Sequence, residues 1–446
     1  MAYSLSPWLK PRFFITGTNR PLAGGLMYTY KAGTTDPATT YSDDTGTENT
    51  NPIVLDSDGQ CDLFLDDSVI YRIILKNAAG VTQFDKDRVA SIGSNLVQSF
   101  NSIAALRLRI GTTIANAAKT LGYYAAGDGG GNSFYWDGTS TATDNIGTVI
   151  KPTAVSGAGR WLAVNPNNIN VKQFGAKTDG IDTTEHFQAA INFAAANGLV
   201  VNVPKGDYTI YTTVTLKEGV SLIGERTNPY NAAAYYPSII WHFPTSANTN
   251  VFELETPTGS YVSCGAVENL FIVASPVGYT KYGFYLQYPI GARFKNIGAS
   301  KAFTDGFLAI KGSVNCVFSD FRVANTTSYP MAAVVSMLSY NGEEYSTTTI
   351  FDNFYASGTT TAGTGGLTSA FLALPAAGVG IVVKHWIVES ITGVAFNIHK
   401  GNEVQIIAPY IENVPNANVA TAVIEIGVTG AAAPNNAYDT ITSLTV

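Results

Sequence analysis

Read for its alternation of apolar and polar positions, the chain changes character near residue 171. Before it, short apolar runs alternate with clusters of Gly, Pro, Asn, Asp and Ser; after it, one helical pattern gives way to a long series of strand patterns. In VKQFGAKTDGIDTTEHFQAAINFAAANGLVVNVPKGDYTI, Val171 to Ile210, the residues Phe187, Ala190, Ile191 and Ala194 fall at i, i+3, i+4 and i+7. That spacing predicts a helix over 186–196 with one apolar face. Asp182 followed three residues later by Glu185 predicts a capping box at its start, and Gly198 a stop at its end. LVVNV then takes up strand chemistry and closes on Pro204, Lys205 and Gly206. A lone amphipathic helix ahead of a β-rich tract must bury its face somewhere. The open end of a stack of β-rungs is the surface expected to receive it.

From Val267 onward a short motif recurs: apolar, polar, Asn or a substitute, apolar. It stands as VENL, FKNI, FSDF, FDNF and VKHW, beginning at Val267, Phe294, Phe318, Phe351 and Val383, with spacings of 27, 24, 33 and 32 residues. Periods of this length mark stacked units. One unit per rung stacks equivalent residues about 4.8 Å apart. Asn269, Asn296, Asp320, Asn353 and His385 then form one column. Asn tolerates left-handed dihedrals, and Asn ladders stabilise stacked sheets. The column therefore reads as structural, Asp320 and His385 included. The preceding position runs Glu268, Lys295, Ser319, Asp352, Lys384, a stripe of mixed charge that a solvated face explains.

Towards the N-terminus, GLMYTY, PIVL, CDLFL and VIYRIILK read as strands between the turn clusters RPLAGG, KAGTTDP, SDDTGTENTNP and DSDGQ. Asp56, Asp58 and Gly59 suggest a calcium loop, but the later ligands are missing and a plain turn fits better. Leu96, Phe100, Ile103 and Leu106 give Ser91–Arg109 a helical spacing, suited to a linker or a short three-stranded coiled coil. Gly127 to Gly131 is no phosphate loop, since no Lys-Ser/Thr pair follows it. The nearby Tyr123, Tyr124, Phe134, Tyr135 and Trp136 could stack on sugars, yet filling the core of a small sheet accounts for them better.

Composition narrows the partners. Charged residues make up 13% of the 446 residues and the net charge is −7, so no basic surface for nucleic acid or anionic membranes is expected. No apolar run approaches the roughly 20 residues of a membrane span. The opening MAYSLSPWLKPRFF lacks the apolar stretch of a secretory signal. Cys61, Cys264 and Cys316 form neither a disulfide framework nor a zinc pattern; buried thiols and synthesis in a reducing cytoplasm are expected, with no metal and no cofactor.

Hydrolysis of a glycosidic bond needs two carboxyls, about 5–5.5 Å apart for retention and about 6.5–9.5 Å for inversion. Outward candidates are Glu268, Glu343, Glu344, Asp352, Glu389, Glu403 and Glu412. Glu389 and Glu412 lie 23 residues apart, one rung's worth, with Trp386 and Tyr410 nearby as surfaces on which sugar rings could stack. They are the candidate acid and its partner, with Asp352 in reserve; solvated rim residues are the competing reading. There is no G-x-S-x-G elbow for an esterase, no H-E-x-x-H zinc helix, and no Lys/Arg set for elimination at a uronate.

Three stretches carry resemblances. VKQFGAKTDGIDTTEHFQAAINFA, VNVPKGDYTI and GVSLIGE resemble the opening of the pectate-lyase-like, right-handed β-helix of many phage tailspikes. PRFFITGTNRPLAGGLMYTYKAGTTDPATTYSD, NPIVLDSDGQ and VIYRIILKNAAGV resemble the particle-attachment domain of podovirus-type tailspikes and tail fibres. LGYYAAGDGGGNSFYWDGTSTATDNIGTVIKPT with GRWLAV resembles a small β module that often precedes such a β-helix. The resemblance implies an all-β chain: an attachment domain over 1–90, a connector with a β module over 91–168, and a capped right-handed parallel β-helix over 169–446. It implies a homotrimer on the virion, docked to the phage tail or portal through 1–90. Such a tailspike would recognise a bacterial surface polysaccharide, O-antigen or capsule, and would depolymerise it by hydrolysis if an enzyme. The alternative is a non-enzymatic tail fibre or adaptor whose β-helix is a rigid stalk. The chain stops at TSLTV after a strand-like run, with no trimer-locking domain in sight.

Overall fold

The computed structural model describes residues 3–5, 10, 12–67, 69–91, 97–112, 116–164, 166–167, 169–225, 238–254, 256, 260–274, 279–301, 303–325, 330–338, 346–358, 366–373, 379–398, 403–412, 424–426 and 444–445. They fall into two units, 1–144 with 148–165, and 145–147 with 166–446.

In the first unit, strands Leu26–Lys31, Ile53–Val54 and Tyr71–Lys76 form where the apolar runs predict them. They join an antiparallel four-stranded sheet over a core of Met27, Leu63, Leu65, Tyr71, Ile73 and Leu75. Its fourth strand, Thr82–Val89, reads TQFDKDRV and lies at the edge, mostly exposed. Apolar alternation could not reveal it, because an edge strand needs charge to discourage further pairing. Asp56 is a turn residue: its Oδ1 accepts the N–H groups of Asp58 and Gln60 at 2.9 and 2.8 Å.

Among the described residues of Ser91–Arg109, the expected continuous helix does not form. Within it lie the strand Gln98–Phe100 and one short helix, Ile103–Arg107, capped by Ser102; Leu96 lies outside the described residues. Ile103 and Leu106 instead pack with Phe134, Ile150 and Trp161 under a five-stranded sheet. Trp136 meets Trp161 edge-on at 5.3 Å, so these aromatics are core, whereas Tyr124 and Tyr135 stay exposed. The Gly-rich loop folds around Asp128, whose carboxylate accepts N–H groups from Tyr123, Tyr124, Ala125 and Gly130. Burial acts to raise that carboxyl, and these bonds outweigh it and hold it below its ordinary value.

The second unit is a parallel β-helix. Among the described residues, three parallel sheets of 14, 8 and 4 strands surround one hydrophobic core that runs from Ile169 to Ile406. A rung passes through Ser313–Val314, Val317–Ala324 and Met331–Leu338, one strand in each sheet. The helix Thr184–Asn197 buries Phe187, Ala190, Ile191 and Ala194 in this core, as its spacing predicts. The capping box does not form there. Thr183 is the N-cap but its hydroxyl donates to the Thr209 carbonyl rather than capping the helix, while Asp182 Oδ1 accepts from the Thr184 N–H and hydroxyl and from the Tyr211 N–H. A carboxylate shared with the bend just past the strand Gly206–Ile210 ties the start of the helix to that strand's end. The reciprocal capping box occurs instead at Asn170 and Gln173, ahead of the 3-10 turn Val171–Phe174.

The motif register is as the repeats predict. Val267, Phe294, Phe318, Phe351, Val383 and Ile406 pair in succession up the sheet. Asn269, Asn296, Asp320, Asn353 and His385 all adopt left-handed φ, between 54° and 60°. Asn296 Nδ2 donates to Asn269 Oδ1 at 2.8 Å and Asn353 Nδ2 to Asp320 Oδ1 at 2.6 Å, so hydrogen bonds join the column in two pairs, while His385 Nδ1 turns to Asp352. Each left-handed residue bends the strand and resets which side chains point inward. Below the ladder, Phe321, Phe354 and Trp386 stack face to face, with ring centroids 4.5 and 4.4 Å apart.

Candidate active site

The reset decides which candidates reach solvent. In VVKHWIVE, Val383 points inward, His385 turns, and Trp386 and Val388 point inward again. Lys384, Ile387 and Glu389 are left outside. Trp386 is 1% exposed, stacked on Phe354, with its Nε1 donating to the Phe351 carbonyl at 3.2 Å. It cannot serve as a sugar platform. Residues three apart in one strand face opposite sides, so Trp386 and Glu389 could never both face solvent.

Glu389 and Glu412 do come together. They are direct partners between the parallel strands Ile387–Glu389 and Tyr410–Glu412, one rung apart on the outer face. Each carboxylate accepts a tyrosine hydroxyl: Tyr355 Oη donates to Glu389 Oε2 and Tyr410 Oη to Glu412 Oε2, both at 2.8 Å. Glu389 is half-buried and Glu412 exposed; Tyr410, at 55% exposure, offers the ring surface expected of it. The bond to Glu412 and the charges of Glu412 and Glu389 push the Tyr410 hydroxyl up, so it stays protonated and a donor.

Tyr355 escapes a sequence reading because it lies 34 residues from Glu389. It shares an outward column with Arg322, Ile387 and Tyr410. The Arg322 guanidinium lies 5.8 Å from the Tyr355 ring centroid. The neighbouring outward column runs Ser300, Ala324, Ser357, Glu389, Glu412.

Asp352 lies elsewhere. It stands before the left-handed turn, in the column of Glu268, Lys295, Ser319 and Lys384. Its carboxylate holds Lys384 Nζ at 3.1 Å and His385 Nδ1 at 2.9 Å. Burial acts to raise the carboxyl, but the bonds from His385 and Lys384 prevail and hold it below its ordinary value. It is a neutralised acid on a different stripe from Glu389. Among the other carboxylates, Glu403 sits at a left-handed turn with φ 53°, and Glu343 and Glu344 lie outside the described residues. Among the described residues, no group of three His, Cys, Asp or Glu is placed to hold a metal, and no helix is long and apolar enough to cross a membrane. Cys61, Cys264 and Cys316 are buried free thiols.

Comparison with known proteins agrees with this architecture. Residues 99–166 match the family model of the phage tail protein small four-stranded β-sheet domain. Residues 168–240 match the rhamnogalacturonase A/epimerase, pectate lyase-like model. No curated protein matches the sequence. Among solved structures, the chain resembles tailspike protein gp49 of Acinetobacter baumannii bacteriophage Fri1, described as a capsular polysaccharide depolymerase. The TM-score is 0.51 at 19% identity, over 72% of this chain and 60% of that one. It also resembles the gp42 tailspike of Acinetobacter phage vb_AbaP_AS12, with TM-score 0.52 at 14% identity over 72% and 58% of the two chains. The chain thus spans less than two thirds of the length of either tailspike. What these likenesses define is a phage-tail β-sheet domain followed by a pectate-lyase-like parallel β-helix, the fold of phage tailspikes.

Proposed function

We propose that the chain is a phage tailspike that binds and hydrolyses a bacterial surface polysaccharide, O-antigen or capsule, on the facet bearing Glu389 and Glu412. The observation that carries this reading is the in-register pairing of those two carboxylates on the outer face, each held by a tyrosine hydroxyl. The depolymerase activity described for the Fri1 tailspike, which shares the fold, supports it. Residues 1–90 serve for docking to the phage tail or portal, 91–168 as connector and 169–446 as the polysaccharide-binding β-helix, in a homotrimer carried on the virion and made in the host cytoplasm.

One rung of about 4.8 Å suits the retaining geometry. One carboxyl protonates the oxygen of the leaving sugar while the other attacks the anomeric carbon, and the glycosidic C–O bond breaks. Water then attacks the glycosyl-enzyme ester, giving its proton to the first carboxylate and releasing the second. Tyr355 and Tyr410 hold the two carboxylates in place, and Tyr410 adds ring surface. The test is incubation with purified surface polysaccharides, followed by reducing-end and unsaturated-product assays. New reducing ends without unsaturation are expected. Unsaturated products would replace hydrolysis by elimination, and binding without cleavage would make the solenoid a non-enzymatic adhesin or stalk.

A further inference from the structure

We infer that the facet bearing Glu389 and Glu412 has a second, remote sugar subsite at Trp241 and Phe243, so that the polymer lies along the solenoid axis. The inference rests on that facet being the polysaccharide site. Through the sheet register, Trp241, Val273, Ser300, Ala324, Ser357 and Glu389 form one outward column. Trp241 thus stands five rungs before Glu389, about 24 Å along the axis at about 4.8 Å per rung. No single sugar covers that distance, and an oligosaccharide does.

The two rings are built as a platform. Trp241 is half-buried on an apolar base made of the outward side chains Ile239, Phe271 and Val273. Phe243 follows two residues later and lies parallel to it, with 7° between the ring planes and 6.0 Å between centroids. Phe243 is 37% exposed. A ring so open gives the fold little burial energy, yet its place against Trp241 fixes an apolar surface facing solvent. The C–H face of a pyranose packs on such a surface, and a ring already held in place loses little freedom in the contact. The Lys301 ammonium, 5.2 Å from the centroid of the Trp241 ring, brings cationic donors to the rim of the platform. Sugar hydroxyls and ring oxygens can accept from them.

Continuity with the glutamates names the occupant. Between the rings and Glu389 the column carries Ser300, Ala324 and Ser357, none long enough to interrupt a polymer laid from one to the other. Such a polymer draws affinity from contacts far from the bond that breaks. The two carboxylates are then left to act on the transition state rather than to hold the substrate.

The test uses full-length chains carrying Phe243→Leu or Trp241→Ala, each with Glu389 intact and with Glu389→Gln to keep the polymer uncut. The ligands are the polysaccharide retained from an array of purified capsules and O-antigens, and size-fractionated fragments of it. For fragments longer than about 24 Å, each ring variant should weaken calorimetric binding about 3- to 10-fold, the scale of an aromatic contact. Shorter fragments cannot touch rings and acids at once, so their turnover with Glu389 intact should not change. Undiminished binding of long fragments by a folded Phe243→Leu overturns the inference and leaves the polysaccharide reading standing. That variant decides alone if Trp241→Ala does not fold. An equal loss on short and long fragments also overturns it, because the rings then act through the fold. So does a changed oligomeric mass in sedimentation, which makes the patch a contact between copies. Failure of the wild type to bind any polysaccharide overturns both readings.

Discussion

Two outward stripes run up the solenoid on either side of the left-handed column, and they treat charge in opposite ways. Before the turn, Glu268 is followed in register by Lys295, and Asp352 by Lys384, so each acid meets a base on the next rung. After the turn, Ser357 is followed by Glu389 and Glu412, two acids with no base between them. The first arrangement is what solubility asks of a solenoid face. The second is not, because like charges directly opposite in a sheet are destabilising. Two acids placed against that cost, each held by a tyrosine hydroxyl, are the feature on which the proposed hydrolytic site rests.

The comparison can be broken from behind. Trp386 fills the core beneath both stripes. Trp386→Ala should lower the unfolding free energy by about 3–5 kcal/mol, read from the denaturant midpoint, and Trp386→Phe by less. An unchanged midpoint with weakened polysaccharide binding would make Trp386 a ligand platform after all.

The sharpest contrast between the stripes is catalytic. Glu389→Gln and Glu412→Gln should each stay folded and lose roughly a hundredfold or more in polysaccharide turnover, the scale of a lost acid or base. Asp352→Asn should leave turnover within about twofold of wild type, since its acid belongs to the other stripe. Full turnover in either glutamine variant removes the pair from the mechanism.

The boundary between the stripes is the ladder, and it should be measurable by itself. Asn353 has φ 56° and donates to Asp320. Asn353→Ala loses the bond and takes a strained left-handed backbone, costing about 1–3 kcal/mol. Asn353→Gly keeps the backbone freedom and should cost less; equal costs would show that the bond, not the turn, matters.

The smallest effect concerns Asp352. Its folded carboxyl lies below its ordinary value, so its stabilising contribution is present above the unfolded value near 4 and is lost as pH falls below it. Comparing wild type with Asp352→Asn, the stability difference at neutral pH should be under about 1 kcal/mol, as for a partly exposed ion pair. It should shrink on acidification. A difference that grows as pH falls contradicts the sign.

By itself the sequence determined the rungs. The spacing of VENL, FKNI, FSDF, FDNF and VKHW carries the register of the long sheet, because a solenoid forces equivalent residues to stack and so repeats its apolar positions along the chain. The residues of the left-handed column and the buried face of the capping helix were legible for the same reason: each answers a local demand of backbone or burial. That Glu389 and Glu412 stack one rung apart also followed from spacing.

What surrounds them did not. A single left-handed residue, His385, shifts the alternation by one, and this sends Trp386 into the core and Glu389 out of it. A strand pattern read without that reset assigns the wrong face. Tyr355 reaches Glu389 only because whole rungs of unequal length stack its strand beside that of Glu389. Asp182, which looks like half of a capping box, is drawn instead to the Tyr211 N–H, just past a strand beyond the helix. These partners are chosen across loops of variable length, where no local period survives to announce them; only the stacked chain decides which side chains meet.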